Sequence, residues 1–227
     1  MAVPLALDID GTLTTPTGRL DPRVFDLLPG WDAPVVLATG KAFPYPIALC
    51  HFLGLPERIV AENGGVVHVD GETTLRGDRE AAWAALEAYA DRGGSLEWGP
   101  DSTVNRWRET EVALSLSADE ALLREVADEF GLVVVDTGFA YHLKSPEPTK
   151  GEGLAAIADR LGVAAESFVA IGDSENDVST FELVAESYAV GNADEAARCA
   201  ADTVVSDEYM DATASILREL RDRKGRR

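Results

Sequence analysis

The feature that most constrains this chain is an alternation of short apolar runs with helical patterns, broken once in the middle. Residues 3–7 form an apolar run that stops at Asp8 and reads as a buried parallel strand. Residues 34–38, 58–61, 168–171 and 187–190 have the same character. Between them, Asp21-Pro22 reads as an N-cap with Pro at the first helical position, opening a short helix to Leu28. A helix over 46–53 is closed by Gly54, and Thr149-x-x-Glu152 is a capping box opening a helix to Leu161. Further helical patterns cover 175–184, 194–200 and 211–221. Asp70-Gly71, between 66–69 and 73–75, is a two-residue hairpin signal.

The interruption has a different texture. An Ala-rich helix over 79–92 gives way to an irregular stretch at 93–109, holding Trp98, Pro100 and Trp107. A strand follows at 111–116. Ser117-x-x-Glu120 reads as the capping box of a helix to Phe130, stopped by Gly131. Strands at 132–135 and 139–143 flank a turn at Thr137-Gly138. The pattern predicts an α/β protein: a Rossmann-like, doubly wound parallel sheet from residues 1–78 and 147–227. A small α+β unit, residues 79–146, is inserted into it.

Charge narrows the function classes. Among 227 residues, 40 are Asp or Glu and 20 are Lys or Arg, a net of −20, and only four are Lys. A field of that sign disfavours nucleic acid and anionic membranes. No apolar run approaches the length of a bilayer span, and the start lacks the basic region of a signal peptide. A cytoplasmic protein is expected. Self-repulsion of this size weakens a compact chain unless salt screens it, so a salt-rich, halophilic cytosol is expected. Cys50 and Cys199 have no CxxC partner, which argues against zinc and for buried free thiols.

Four segments could carry chemistry. Asp8-Ile9-Asp10-Gly11-Thr12 places two acids at the carboxyl end of a buried strand, where open α/β sheets bind ligands. An acidic pair alone is weak in so acidic a chain. Two like charges directly after an apolar strand, however, need a cation or a basic partner. Gly172-Asp173-Ser174-Glu175-Asn176-Asp177 repeats the arrangement, with oxygen donors suited to a hard cation such as Mg²⁺. Neither segment has Gly where a calcium EF-hand needs it. Thr39-Gly40-Lys41 sets a hydroxyl, a glycine and a cation at another strand end. Lys150 sits at the first turn of a helix, where N–H groups attract anions. Together they make a kit for metal-assisted phosphoryl transfer through a carboxylate nucleophile.

In that order, over residues 8–177, these motifs resemble the haloacid dehalogenase superfamily of phosphatases. The insert between Thr39 and Lys150, preceded by Glu62-Asn63-Gly64-Gly65, resembles the Cof-like branch with a C2-type cap. Arg106-Trp107-Arg108-Glu109 and the strand Gly138-Phe139-Ala140-Tyr141-His142-Leu143 are similar to the archaeal phosphoglycolate phosphatases. Lys41 departs from the branch, which often has Arg or a polar residue there.

The resemblance implies that Asp8 attacks phosphorus and that Asp10 is the general acid and base. It implies Mg²⁺ held by Asp8, the Asp10 backbone carbonyl and Asp173, with Asp177 in or beside the shell. Thr39, Gly40, Lys150 and Asn176 would hold the phosphoryl group, and Asn192 would help orient the network. Arg106, Arg108 and His142 of the cap are candidates for reading the leaving group. The implied substrate is a small phosphorylated metabolite, 2-phosphoglycolate first. A sugar phosphate, a phosphoglycerate derivative, a phosphomutase reaction or an inactive metal-binding regulator stand as alternatives. Monomer and homodimer both remain open.

Overall fold

The computed structural model describes residues 2–225. The elements, in chain order, are β1 (Leu5–Leu7), α1 (Val24–Leu27), β2 (Val35–Ala38), α2 (Pro44–Leu53), β3 (Arg58–Ala61), β4 (Val66–Val69), β5 (Glu72–Leu75) and α3 (Arg79–Asp91). There follow β6 (Val112–Leu114), α4 (Glu120–Glu129), β7 (Val133–Asp136), β8 (Tyr141–Lys144), α5 (Lys150–Leu161), β9 (Val169–Gly172) and α6 (Val178–Phe181). The last are β10 (Glu186–Ala189), α7 (Glu195–Ala200), β11 (Thr203–Val204) and α8 (Tyr209–Gly225).

Eight strands form one sheet in the order β11-β10-β9-β1-β2-β3-β4-β5. Its central strands are parallel and buried on both faces, which is why they read as continuous apolar runs. Along β1 and β2, alternate side chains feed two separate cores. Leu5, Leu7, Val35 and Leu37 join one with α8; Ala6, Val36 and Ala38 join the other with Leu154 and Ile157 of α5. The sheet is mixed rather than wholly parallel, because β4 and β5 close one edge as an antiparallel hairpin. Asp70 and Gly71 both take positive φ there, as a tight hairpin turn demands.

After β5 the chain builds a second sheet, three antiparallel strands in the order β6-β8-β7, backed by α3 and α4. It has its own core, around Leu86, Tyr89, Leu114, Leu123, Val126 and Leu143. The return is tied down by Lys144, whose Nζ donates to the carbonyls of Ser145 at 2.7 Å and Pro148 at 2.8 Å.

Several local expectations are corrected. Helix α4 is capped by Asp119, which accepts the Leu122 N–H, and not by Ser117, whose hydroxyl donates instead to Glu97. Asp21 does not cap a helix starting at Pro22; its carboxylate takes the N–H and guanidinium of Arg23, and α1 begins at Val24. The 175–184 pattern resolves into a tight turn and the single turn of α6. Strand β11 is too short for any periodicity to announce it. Cys50 is buried, whereas Cys199 is exposed, because the short α7 buries only Ala197. Among the described residues no helix is long and apolar enough to cross a membrane.

Candidate active site

Three parallel strands end side by side. Leu7 stands in register with Leu37 on one flank and Ile171 on the other. Asp8, Thr39 and Asp173 therefore emerge together, at the carboxyl edge of the sheet. Gly11 turns the chain away with φ of +77°, and a Cβ there would lie 1.8 Å from Asp173 Oδ2. Only glycine satisfies both the conformation and the approach.

Asp8, Asp173 and Asp177 form a cluster in which one oxygen of each lies within 4.8 Å of the others. Lys150, at the start of α5 and almost wholly buried, reaches Asp8 Oδ1 at 2.8 Å, Asn176 Oδ1 at 2.8 Å and Asp177 Oδ1 at 2.7 Å. Asp177 Oδ2 accepts the backbone N–H groups of Asp173 and Ser174, fixing the loop after β9. Asn192 bridges the Gly11 carbonyl and the Tyr209 N–H, and approaches Asp173 Oδ2 at 3.4 Å. Asp8 Oδ2 is buried and has no hydrogen-bond partner among the described residues.

The electrostatics match this crowding. Burial pushes the Asp8 carboxyl up, Asp177 and Asp10 add to the shift, and Lys150 opposes it. Burial likewise raises Asp173, helped by Asp8 and Asp177. Burial alone would lower Lys150, but Asp177 and Asp8 outweigh it and hold the ammonium charged. Three carboxylates against one ammonium, with an orphaned oxygen among them, suit an oxygen-preferring divalent cation.

Asp10 lies in the turn after β1, and its carboxylate stands outside the cluster. It lines the same small cavity as Asp8 and forms an ion pair with Lys41, Nζ to Oδ2, at 3.0 Å. Thr39 is fully buried at the end of β2, its hydroxyl accepting the Lys41 N–H. Gly40, Asn176 and Ser174 also line the cavity, and the three-stranded unit closes it with Arg108, Phe139 and His142. A Cβ on Gly40 would meet Asn63 Oδ1 at 3.0 Å and His142 Cε1 at 3.4 Å, so glycine lets the two units approach.

Of the three cap candidates, Arg108 and His142 reach this cavity and Arg106 does not. Arg106 is exposed, stacks on Trp107, and borders a surface groove with Arg79, Glu80 and Asp101. Residues 102–108 run through successive tight turns, with Arg106 N–H to Ser102 O and Arg108 N–H to Asn105 O. On such a path, residues two apart point to different sides.

Sequence reasoning missed the polar hub behind the cavity. Glu111, fully buried, accepts from Arg108, from Asn63 Nδ2 at 3.0 Å, and bonds His142 Nδ1 at 2.7 Å. Glu62, also buried, accepts the N–H groups of Glu109 and Thr110 and the Thr110 hydroxyl. Asn63 Oδ1 in turn accepts from Asn176, which accepts from Lys150. The available signal was Glu62-Asn63-Gly64-Gly65 itself, two polar residues and two glycines directly after an apolar strand; in the structure Glu62 and Asn63 both sit at positive φ, an uncommon state for non-glycine residues.

Comparisons with known proteins agree with this geometry. Residues 112–217 match the model of the haloacid dehalogenase-like hydrolases. A protein of Halorubrum lacusprofundi named phosphoglycolate phosphatase is 68% identical, over 98% of this chain and 99% of its own length. One of the same name from Halobacterium salinarum is 51% identical, over 96% and 97%. In fold, a crystal structure from Thermoplasma acidophilum superposes with a TM-score of 0.84 at 23% identity, covering 97% of this chain and 99% of that one. A haloacid dehalogenase-like hydrolase from Bacteroides thetaiotaomicron gives 0.73 at 19% identity, covering 98% and 99%. Sequence, fold and site converge, and the chain belongs to the haloacid dehalogenase-like hydrolase family.

Proposed function

We propose that this hydrolase is a Mg²⁺-dependent phosphomonoesterase that releases glycolate and phosphate from 2-phosphoglycolate. The observation that carries the chemistry is Asp8: buried, held through Oδ1 by Lys150, and left with Oδ2 free. A structural carboxylate would have both oxygens satisfied; a nucleophile keeps a lone pair available. The substrate is carried by the two halophile relatives named phosphoglycolate phosphatase.

Asp8 forms a bond to phosphorus as the ester P–O bond breaks, and Asp10 gives a proton to the departing glycolate oxygen. Asp10 then takes a proton from the water that attacks phosphorus, which frees Asp8 and releases phosphate. Lys150, Thr39, Gly40 and Asn176 hold the phosphoryl oxygens and offset their charge. Asp8, the Asp10 carbonyl and Asp173 would hold Mg²⁺ with Asp177 alongside, and the cation would neutralise charge developing on those oxygens. Residues 79–146 act as a cap on a core made of 1–78 and 147–227. The cavity between them, about 30 Å³, has room for a water or two and not for the ester. Cap and core therefore part to admit substrate and close again before chemistry. The reaction takes place in the cytoplasm.

The test is phosphate release from 2-phosphoglycolate and a panel of phosphomonoesters, with Mg²⁺ in molar KCl. Marked preference for 2-phosphoglycolate, abolished by chelation, is the expected result. Asp8→Asn should lower kcat by about 10⁴-fold or more while metal still binds. Near-normal turnover in that variant would refute the nucleophile, and a flat panel would refute the substrate.

A further inference from the structure

We propose that Lys41 is the specificity-determining residue that binds the carboxylate of the leaving group. This rests on the phosphomonoesterase reading above and names the residue that reads its substrate.

An ester whose leaving group is itself anionic must enter a cavity bordered by Asp8 and Asp10, so a cation must meet it. Two permanent cations line that cavity, Arg108 and Lys41. Arg108 is fixed in place: it is buried, paired with Glu111, and donates to Gly40 O at 2.9 Å and Val104 O at 3.1 Å, which engages three of its five N–H groups and ties the guanidinium to the wall of the cavity. His142 faces the cavity too, but its Nδ1 is taken by the same Glu111. Pulling either toward substrate would strip the buried Glu111 of one of its charged or polar partners, a costly exchange. Lys150 lies beneath Asp8 with all three ammonium donors engaged.

Lys41 differs in each respect. Its ammonium makes one ion pair, to Asp10 Oδ2 at 3.0 Å, and its side chain keeps 30% of its exposure. An ammonium has three donors, so it can take a second carboxylate without releasing the first.

The position of Lys41 also favours it. Asp10 is the group that protonates the leaving oxygen, and Lys41 is bonded to Asp10, so Lys41 stands on the leaving-group side. In 2-phosphoglycolate a single CH₂ separates the ester oxygen from the carboxylate, so the carboxylate falls beside the group that touches Asp10. Phe139, from the turn between β7 and β8, lies 5.3 Å from the Lys41 ammonium, and Tyr45 of α2 lies 5.7 Å away. These ring faces hold the ammonium over the cavity mouth and limit its water.

The decisive experiment compares 2-phosphoglycolate with ethyl phosphate, in which a methyl group replaces the carboxylate, on wild type, Lys41→Met and Lys41→Arg with Mg²⁺. In Lys41→Met, kcat/KM for 2-phosphoglycolate should fall at least about tenfold further than for ethyl phosphate, mostly through KM. Lys41→Arg should restore most of the preference. Equal losses on both esters would mean that Lys41 serves only Asp10, and would overturn the inference. So would a full preference for 2-phosphoglycolate in Lys41→Met. A wild-type protein that shows no preference between the two esters overturns the substrate reading itself. Melting temperatures of the variants matching wild type exclude misfolding as the cause.

Discussion

Two buried charge clusters lie next to each other in this molecule, and they are built to opposite rules. At the sheet edge, Asp8, Asp173 and Asp177 share a single cation, Lys150, and Asp8 Oδ2 has no donor. Behind it, Glu111 is matched by Arg108, His142 and Asn63, and Glu62 by two N–H groups and a hydroxyl, so every carboxylate oxygen accepts a hydrogen bond. The second cluster is complete without a ligand, and its bonds run between the large sheet's edge and the three-stranded unit. The first is incomplete. Charge balance and oxygen satisfaction, more than burial or acidity, separate a staple from a site in this chain.

Cutting one carboxylate from each cluster should therefore move stability in opposite directions. Glu111→Ala leaves Arg108 buried and unpaired, and should destabilise the chain by about 3–5 kcal/mol. Asp173→Asn, in protein stripped of metal, removes a carboxyl that is disfavoured first by burial and then by Asp8 and Asp177, and should stabilise it by about 1 kcal/mol. The same variant should lose the rise in melting temperature that added Mg²⁺ gives wild type. Urea melts with and without metal check both. If Asp173→Asn destabilises the metal-free chain as Glu111→Ala does, the distinction between the clusters collapses.

Asn63 joins the two, donating to Glu111 and accepting from Asn176, which holds Lys150. Its φ is +55°, so Asn63→Gly removes the side chain without straining the backbone. The expected result is a fall in kcat of about tenfold, roughly 1.4 kcal/mol of barrier, with a drop in melting temperature smaller than that of Glu111→Ala, because Glu111 Oε2 loses the Asn63 donor while Arg108 and His142 keep Oε1. Loss of stability with kcat intact would make Asn63 part of the staple alone.

Within the staple the two glutamates part company. Glu111 is driven up by burial, but His142 and Arg108 overcome this and bring it down to about 2. Glu62 is pushed up to about 7, first by burial and then by Glu111. A carboxyl that is harder to ionise folded than unfolded holds its proton longer in the native state. Stability should thus decline as pH rises from about 4.5, its ordinary value, to about 7. Melting temperature against pH should show that decline in wild type and a flatter curve in Glu62→Gln.

Much of this architecture is legible in the sequence, for a local reason. Strands buried on both faces must be apolar throughout, so β1, β2, β3 and β9 show as uninterrupted runs, and the residues that follow them become the site edge. Asp8 and Asp173 meet because register in a parallel sheet aligns strand ends, and Asp177 and Lys150 join them from the turn after β9 and the start of α5. What stays hidden depends on partners distant in sequence. Ser117 and Asp119 are equally good caps on paper, and the Glu97 carboxylate and the Tyr89 hydroxyl decide between them. Arg106 and Arg108 look alike in sequence. The path of their loop is set by Asn105, whose buried amide bonds Ala113 N, Ala113 O and Trp98 O, and that path carries Arg108 inward and Arg106 out. Glu111 sits at the head of an apolar strand with nothing nearby in sequence to reveal its partners.

The smallest effect expected is on a difference. A net charge of −20 spread over the surface makes the whole fold sensitive to salt, and melting temperature should climb as KCl is raised into the molar range. At 1 M the Debye length is about 3 Å, short enough to screen exposed carboxylates from one another. The Arg108–Glu111 pair, with side chains 4% and 0% exposed, lies beyond the reach of bulk ions. The gap in unfolding free energy between wild type and Glu111→Ala should therefore change by less than about 0.5 kcal/mol between 0.2 M and 2 M KCl, while both melting temperatures rise together. A gap that closes as salt increases would show that the pair is screened, and that the staple belongs with the surface charge rather than with the buried core.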